Sequence, residues 1–200
     1  EDIEHIFNTM RLKYAAVRYA IDIVAATNPT PLAAYDYATV GRELNQFLGL
    51  PGFIKTIDCF DISHFQSNEI VGSCVRFTDG KPDKNKFRRF KIRSLNEQND
   101  YAALAEIVSR RYKDGEDLPD LILIDGGKGQ LNAVQHLFPQ AHFASLAKRE
   151  ERLFSAHHPE GAVLDLKTEV GRLLIALRDY AHHFAITYHR LRRKKSLQEG

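Results

Sequence analysis

The sequence predicts an α/β fold on three observations. The aliphatic run Leu121, Ile122, Leu123, Ile124 stops at Asp125, with Gly126, Gly127, Lys128 and Gly129 next. Such a run reads as a short strand buried on both faces, and it delivers one acid to an open rim. Three further strand-like runs precede it, over about 54–61, 69–78 and 84–92. The last long segment is helical, because Val170, Leu173, Leu174, Leu177, Ala181, Phe184, Ala185, Tyr188 and Leu191 recur at a 3.6-residue period.

Bulk properties set the scale. Two hundred residues with 44% hydrophobic content suffice for one full core and a small appendage. A formal charge of +2 is too nearly balanced to name a partner, although the run His189 to Lys195 gathers positive charge at the C-terminus. Cys59 and Cys74 are too few for a zinc motif or a disulfide framework, so they read as core residues in a reducing compartment. No stretch approaches the roughly 18 apolar residues of a membrane span, and no secretory leader is expected. An opening Glu1 and a sole methionine, Met10, suggest a piece of a longer protein.

In chain order, Ile3, Ile6, Phe7, Met10, Tyr14, Val17, Ile21 and Val24 have helical spacing over 1–27, ended by Asn28-Pro29-Thr30-Pro31. A weaker helix over 32–48 is stopped by Gly49-Leu50-Pro51-Gly52. Residues 1–50 are therefore expected as a helical lead-in and 51–200 as the main domain. Asp79-Gly80-Lys81-Pro82-Asp83 is a hairpin signal, and Ser67-Asn68 can turn the chain between the first two strands. Asn99-Asp100 caps a helix over 101–112 whose inner face carries Leu104, Ile107, Val108 and Tyr112. A helix over 129–137, a strand over 142–147, a hairpin over 152–166 around Pro159-Glu160-Gly161 and a helix over 167–193 complete the order. That order is RNase H-like: a mixed five-stranded sheet with flanking helices, its first and fourth strands adjacent and parallel.

Such adjacency would bring Asp61 and Asp125 to one rim. Taken singly, each is as well explained as a strand-end cap. Together they would repel, raising one pKa unless a divalent cation neutralises them. Mg²⁺ or Mn²⁺ is the natural occupant. His182 follows stripe residue Ala181 at the edge of the buried face and can supply a third ligand. Asp179 and His183, spaced i,i+4, read as a solvated pair. The glycine-rich turn is no Walker A loop, since its spacing is short and Gln130 lacks the hydroxyl that Mg²⁺ needs. Lys128 could still meet a phosphate at the helix start. Lys148, Arg149, Arg178, Arg190, Arg192, Arg193 and Lys194 read either as a phosphate track or as a solvated helix end. Phe87-Arg88-Arg89-Phe90 alternates like an amphipathic strand.

Four motifs carry a family resemblance: Asp58-Cys59-Phe60-Asp61-Ile62-Ser63-His64, Asp100 to Leu104, Leu121 to Gln130, and Asp179 to Thr187. Over about residues 54–195 the chain resembles the C-terminal endonuclease domain of the UvrC family, the dual-incision nuclease of bacterial nucleotide excision repair. The resemblance implies an RNase H-like fold and an Asp-Asp-His triad on Asp61, Asp125 and His182, with Asp100 in support. It also implies a metal-dependent cut on the 5′ side of a lesion in damaged double-stranded DNA, in the bacterial cytoplasm. Its partners would be UvrB, with UvrA upstream, reached through parts outside this chain: a GIY-YIG nuclease for the 3′ cut, a UvrB-binding segment and a helix-hairpin-helix module. Three positions depart from the family pattern: Asp58 replaces Glu, Tyr180 an acid and His183 an Arg. The alternative is a non-catalytic RNase H-like module that only binds DNA or a partner.

Overall fold

A computed structural model of the chain describes residues 37–64, 70–92 and 99–198, with the side chains of the last helix described as far as Ile186. The helix expected over 1–27 lies outside those residues. Four α-helices and eight strands are described: α1 Tyr37–Leu48, β1 Thr56–His64, β2 Ile70–Thr78, β3 Lys81–Pro82, β4 Arg88–Lys91, α2 Asp100–Arg111, β5 Leu121–Asp125, α3 Lys128–Val134, β6 Phe143–Ala147, β7 Arg152–Ser155, β8 Ala162–Val163 and α4 Glu169–Gln198.

One mixed sheet runs in the order β3-β2-β1-β5-β6-β7-β8, with β4 also paired to β2. The expected first and fourth strands, β1 and β5, are adjacent and parallel. Among the described residues the sheet has eight strands rather than five. A two-residue β3 follows the turn, and the hairpin expected over 152–166 joins the sheet at β6. The β2–β3 turn is Asp79-Gly80, with φ of 50° and 74°. Positive φ at both positions is the two-residue turn whose twist suits a hairpin, and Asp-Gly tolerates it best.

Side-chain alternation along each strand divides the core in two. Ile57, Cys59, Val75, Leu121, Leu123 and Leu146 face α1 and α4, where Leu44, Leu174, Leu177 and Ala181 close the layer. Phe60, Cys74, Ile122 and Ile124 face α2 and α3, against Leu104, Ile107, Leu131 and Val134. Each such aliphatic side chain, once fully buried, stabilises by about 1.5–3 kcal/mol. Tyr37–Gly200 forms one compact unit, so α1, expected within the lead-in, shares the domain core.

Two bounds differ from expectation for physical reasons. β1 continues past Asp61 to His64, because β2 pairs with it as far as Ile70. α3 ends at Val134 rather than near 137, because the chain tightens there and Leu137 N donates to the Val134 carbonyl, three residues back, at 3.0 Å.

One polar cluster was not foreseen. Asp58 is fully buried on β1 and accepts from Arg76 Nε at 2.6 Å, Arg76 Nη2 at 2.9 Å and the Tyr112 hydroxyl at 2.6 Å. Arg111 stands 3.6 Å from the same carboxylate. Asp117 closes the network by accepting from Arg76 at 2.6 Å and Arg111 at 2.9 Å.

Candidate metal centre

The parallel register pairs Phe60 with Ile124, so the next residues, Asp61 and Asp125, come level on the same face of neighbouring strands. That face is the one α4 covers. Ala181 is fully buried there, and its small side chain lets the helix approach the sheet. The Ser73 hydroxyl, directly across from Asp61 in the β1–β2 pairing, donates to the Ala181 carbonyl at 3.0 Å. The next helical residue is His182, whose Nδ1 lies 3.3 Å from Asp61 Oδ2. One ligand atom from each of Asp61, Asp125 and His182 falls within 4.8 Å of the others.

The two carboxylates are nearly sealed, with side chains 4% and 2% exposed for Asp61 and Asp125. Burial, then the negative charge of Asp61, pushes the Asp125 carboxyl up to about 6, with Lys148 opposing. Burial also pushes Asp61 up, but His182, the Ser63 hydroxyl and Lys148 outweigh it and hold Asp61 below its ordinary value. Lys148 Nζ stands 3.2 Å from Asp125 Oδ2, yet that buried oxygen receives no hydrogen bond. Two buried carboxylates that cannot both ionise cheaply, one with an unsatisfied oxygen, beside an imidazole, fit a divalent cation with oxygen and nitrogen ligands.

Residues 45–186 match the profile of the UvrC RNAse H endonuclease domain. The chain belongs to the UvrC RNase H endonuclease domain family. UvrABC system protein C of Methanosarcina barkeri is 43% identical over 164 residues, covering 78% of this chain and 32% of that protein. The Chlorobaculum tepidum protein of the same name is 46% identical over 157 residues, covering 74% and 25%. The chain thus spans about a quarter to a third of the length of these UvrC relatives. Among solved structures, human ENDOV superposes with a TM-score of 0.39 at 16% identity, over 56% of this chain and 58% of that one. That likeness is too slight to add to the UvrC assignment.

The remaining residues expected at a UvrC site divide by position. Asp100 does not join the cluster of three: its Oδ1 lies 2.6 Å from His64 Nε2, and both side chains are substantially exposed. Lys128 is exposed and pairs with Glu160 at 3.3 Å. Lys148 leans on Asp125, and Arg149 beside it is exposed. Arg178 departs from the phosphate track. It is 6% exposed, and its guanidinium is spent on a two-pronged ion pair with Glu151. Arg190, Arg192, Arg193 and Lys194 lie on α4 beyond the described side chains. In the Phe87–Phe90 stretch, Phe90 is buried, while Arg89 lies over the Phe184 ring at 3.8 Å. The amphipathic-strand reading fits that packing.

Sequence reasoning missed Ser63, Ser73, Glu151 and the His64 contact. Ser63 donates to Asp61 Oδ2 at 2.9 Å. Its position two residues along the strand, on the same face, was a usable signal. Glu151 sits in a strained connection, since Glu150 and Glu151 have φ of 65° and 47°. Non-glycine residues in that region cost about 1–3 kcal/mol each and persist where surrounding contacts hold them. Here the holding contact is Arg178, and the same segment carries Lys148.

Proposed function

We propose that this chain is the nuclease domain that makes the 5′ incision in nucleotide excision repair, acting on damaged double-stranded DNA within a UvrC protein. The observation that carries this reading is the meeting of Asp61, Asp125 and His182 at one strand rim, within 4.8 Å. These three residues would hold a divalent cation, Mg²⁺ or Mn²⁺. Bound there, it would supply Lewis-acid polarisation of the scissile phosphate and activation of a water.

The chain's own groups do the rest. Asp61 orients the His182 ring and is itself steadied by the Ser63 hydroxyl. Ser73 and the Arg178–Glu151 pair fix α4 against the rim. Lys148 reaches the acids from the exposed side, where it can pass from Asp125 to a phosphate oxygen. Arg149, Lys128 and the basic end of α4 would grip the backbone without reading bases, as suits an enzyme that accepts any sequence. Affinity should then fall with salt at a log–log slope of about 0.7–0.9 per phosphate contact. Asp100, held by His64, supports the same rim. Recruitment by UvrB after UvrA, in the bacterial cytoplasm, belongs to this reading. No described helix is long and apolar enough to cross a membrane.

Incision mapping tests it. A duplex with one lesion, labelled at either end, is treated with UvrA, UvrB and full-length protein carrying this domain. Asp61→Ala is expected to lose the 5′ cut by about 10³-fold or more and to keep the 3′ cut. Persistence of the 5′ cut would overturn the proposal.

A further inference from the structure

We infer that Tyr101 forms a nucleobase subsite on the flank of the rim opposite His182, its ring stacking on an unpaired base of the strand being cut. The inference rests on the nuclease reading above and adds a contact to it.

Four large apolar side chains are exposed among the described residues: Phe53, Tyr101, Val163 and Leu166. Phe53 has a structural explanation, since its ring packs edge-on to Tyr37 with centroids 5.9 Å apart. Tyr101, 51% exposed, is the one bound to the acid-bearing rim. Its neighbour Asp100 is tied to His64, the last residue of β1. Its ring lies over Gly129, in the first turn after β5, so closely that a Cβ there would meet Oη at 2.6 Å and Cζ at 3.1 Å. The ring therefore bridges the start of α2 and the start of α3, directly behind the ends of the two strands that carry Asp61 and Asp125.

Half of this ring is open to solvent, at the same strand ends as the acids but on the α2–α3 face of the sheet. Lys128, adjacent to Gly129, is half-exposed on the same flank, and its pair with the exposed Glu160 is a surface ion pair that a phosphate can displace. Charge for the backbone with a flat ring for a base is the combination that holds single strands regardless of sequence, because every base has a π-face. Tyrosine suits the task, since a ring with two side-chain torsions loses little freedom on contact. Gly129 keeps the ring in place by having no side chain to push it off.

The test is binding to a fluorescent duplex containing a short unpaired bubble, in EDTA so that nothing is cut. An abasic residue is moved one nucleotide at a time through the bubble. For the unsubstituted chain, one abasic position is expected to weaken binding by roughly 5- to 150-fold, the usual worth of one stacked base. Tyr101→Ala should weaken binding to intact DNA by the same factor and become indifferent to that position. Tyr101→Phe should behave as the unsubstituted chain does. Gly129→Ala, which swings the ring aside, should follow Tyr101→Ala.

If Tyr101→Ala keeps the position dependence, or the unsubstituted chain never shows one, the subsite is overturned. A chain that fails to bind the bubble at all overturns the subsite and the nuclease reading together. Position-dependent binding without nicking in Mn²⁺ or Mg²⁺ would support the subsite and count against the nuclease reading alone.

Discussion

Asp125→Asn is expected to remove cutting and yet to raise the melting temperature at pH 8 in EDTA. The Asp125 side chain is 2% exposed and carries its carboxyl at about 6, through burial first and the nearby Asp61 charge second. In the unfolded chain the same group titrates near 3.9. Below that pH the acid is neutral in both states and costs the fold nothing. As pH rises towards about 6 the unfolded chain loses the proton first, and stability falls. Above 6 the full burden of a buried charge is present. A shift of about two units corresponds to roughly 2–3 kcal/mol, or about 4–12 °C in a domain of this size. Asparagine has nearly the same shape and no charge. The variant should therefore match the unsubstituted chain near pH 4 and exceed it at pH 8, with nicking lowered by about 10³-fold or more. A variant that melts lower at pH 8 would make Asp125 a structural residue.

Asp58→Ala, on the neighbouring strand β1, is expected to do the opposite. It should cost about 3–5 kcal/mol, because it leaves Arg76 buried with a broken partner set. Asp58 is fully buried, and the Arg76 and Arg111 side chains are 5% and 7% exposed. Water cannot replace what the carboxylate provides: two bonds from Arg76 and one from the Tyr112 hydroxyl. Urea or thermal unfolding reads the effect directly, as a loss of about 6–20 °C. A loss below about 1 kcal/mol would mean that the cluster is worth no more than a surface pair.

The contrast between these two acids shows what could be read in the chain and what could not. Asp125 was legible because an apolar run stops at it and glycines follow. His182 was legible because it borders Ala181 in a regular stripe. Asp58 was not, because its partners at 76, 111 and 117 are brought in by three separate elements. Spacing along the chain carries no trace of that convergence. Arg178 misled for a related reason. A cation four residues before His182 on an amphipathic helix reads as solvated, and only the fold brings Glu151, 27 residues away, to cover it. The strand order was legible from periods of 2 and 3.6 and from the turns. The extra strands were not, since two-residue β3 and β8 are too short to show a period.

Asp61, Asp125 and His182 are proposed to hold the cation on which cutting depends. Nicking of a supercoiled plasmid by this chain tests this most directly, in Mn²⁺, Mg²⁺ or EDTA, beside Asp61→Ala. Nicking that requires the cation and disappears with Asp61 is the expected result. Equal nicking by both proteins, or nicking that survives EDTA, would contradict it.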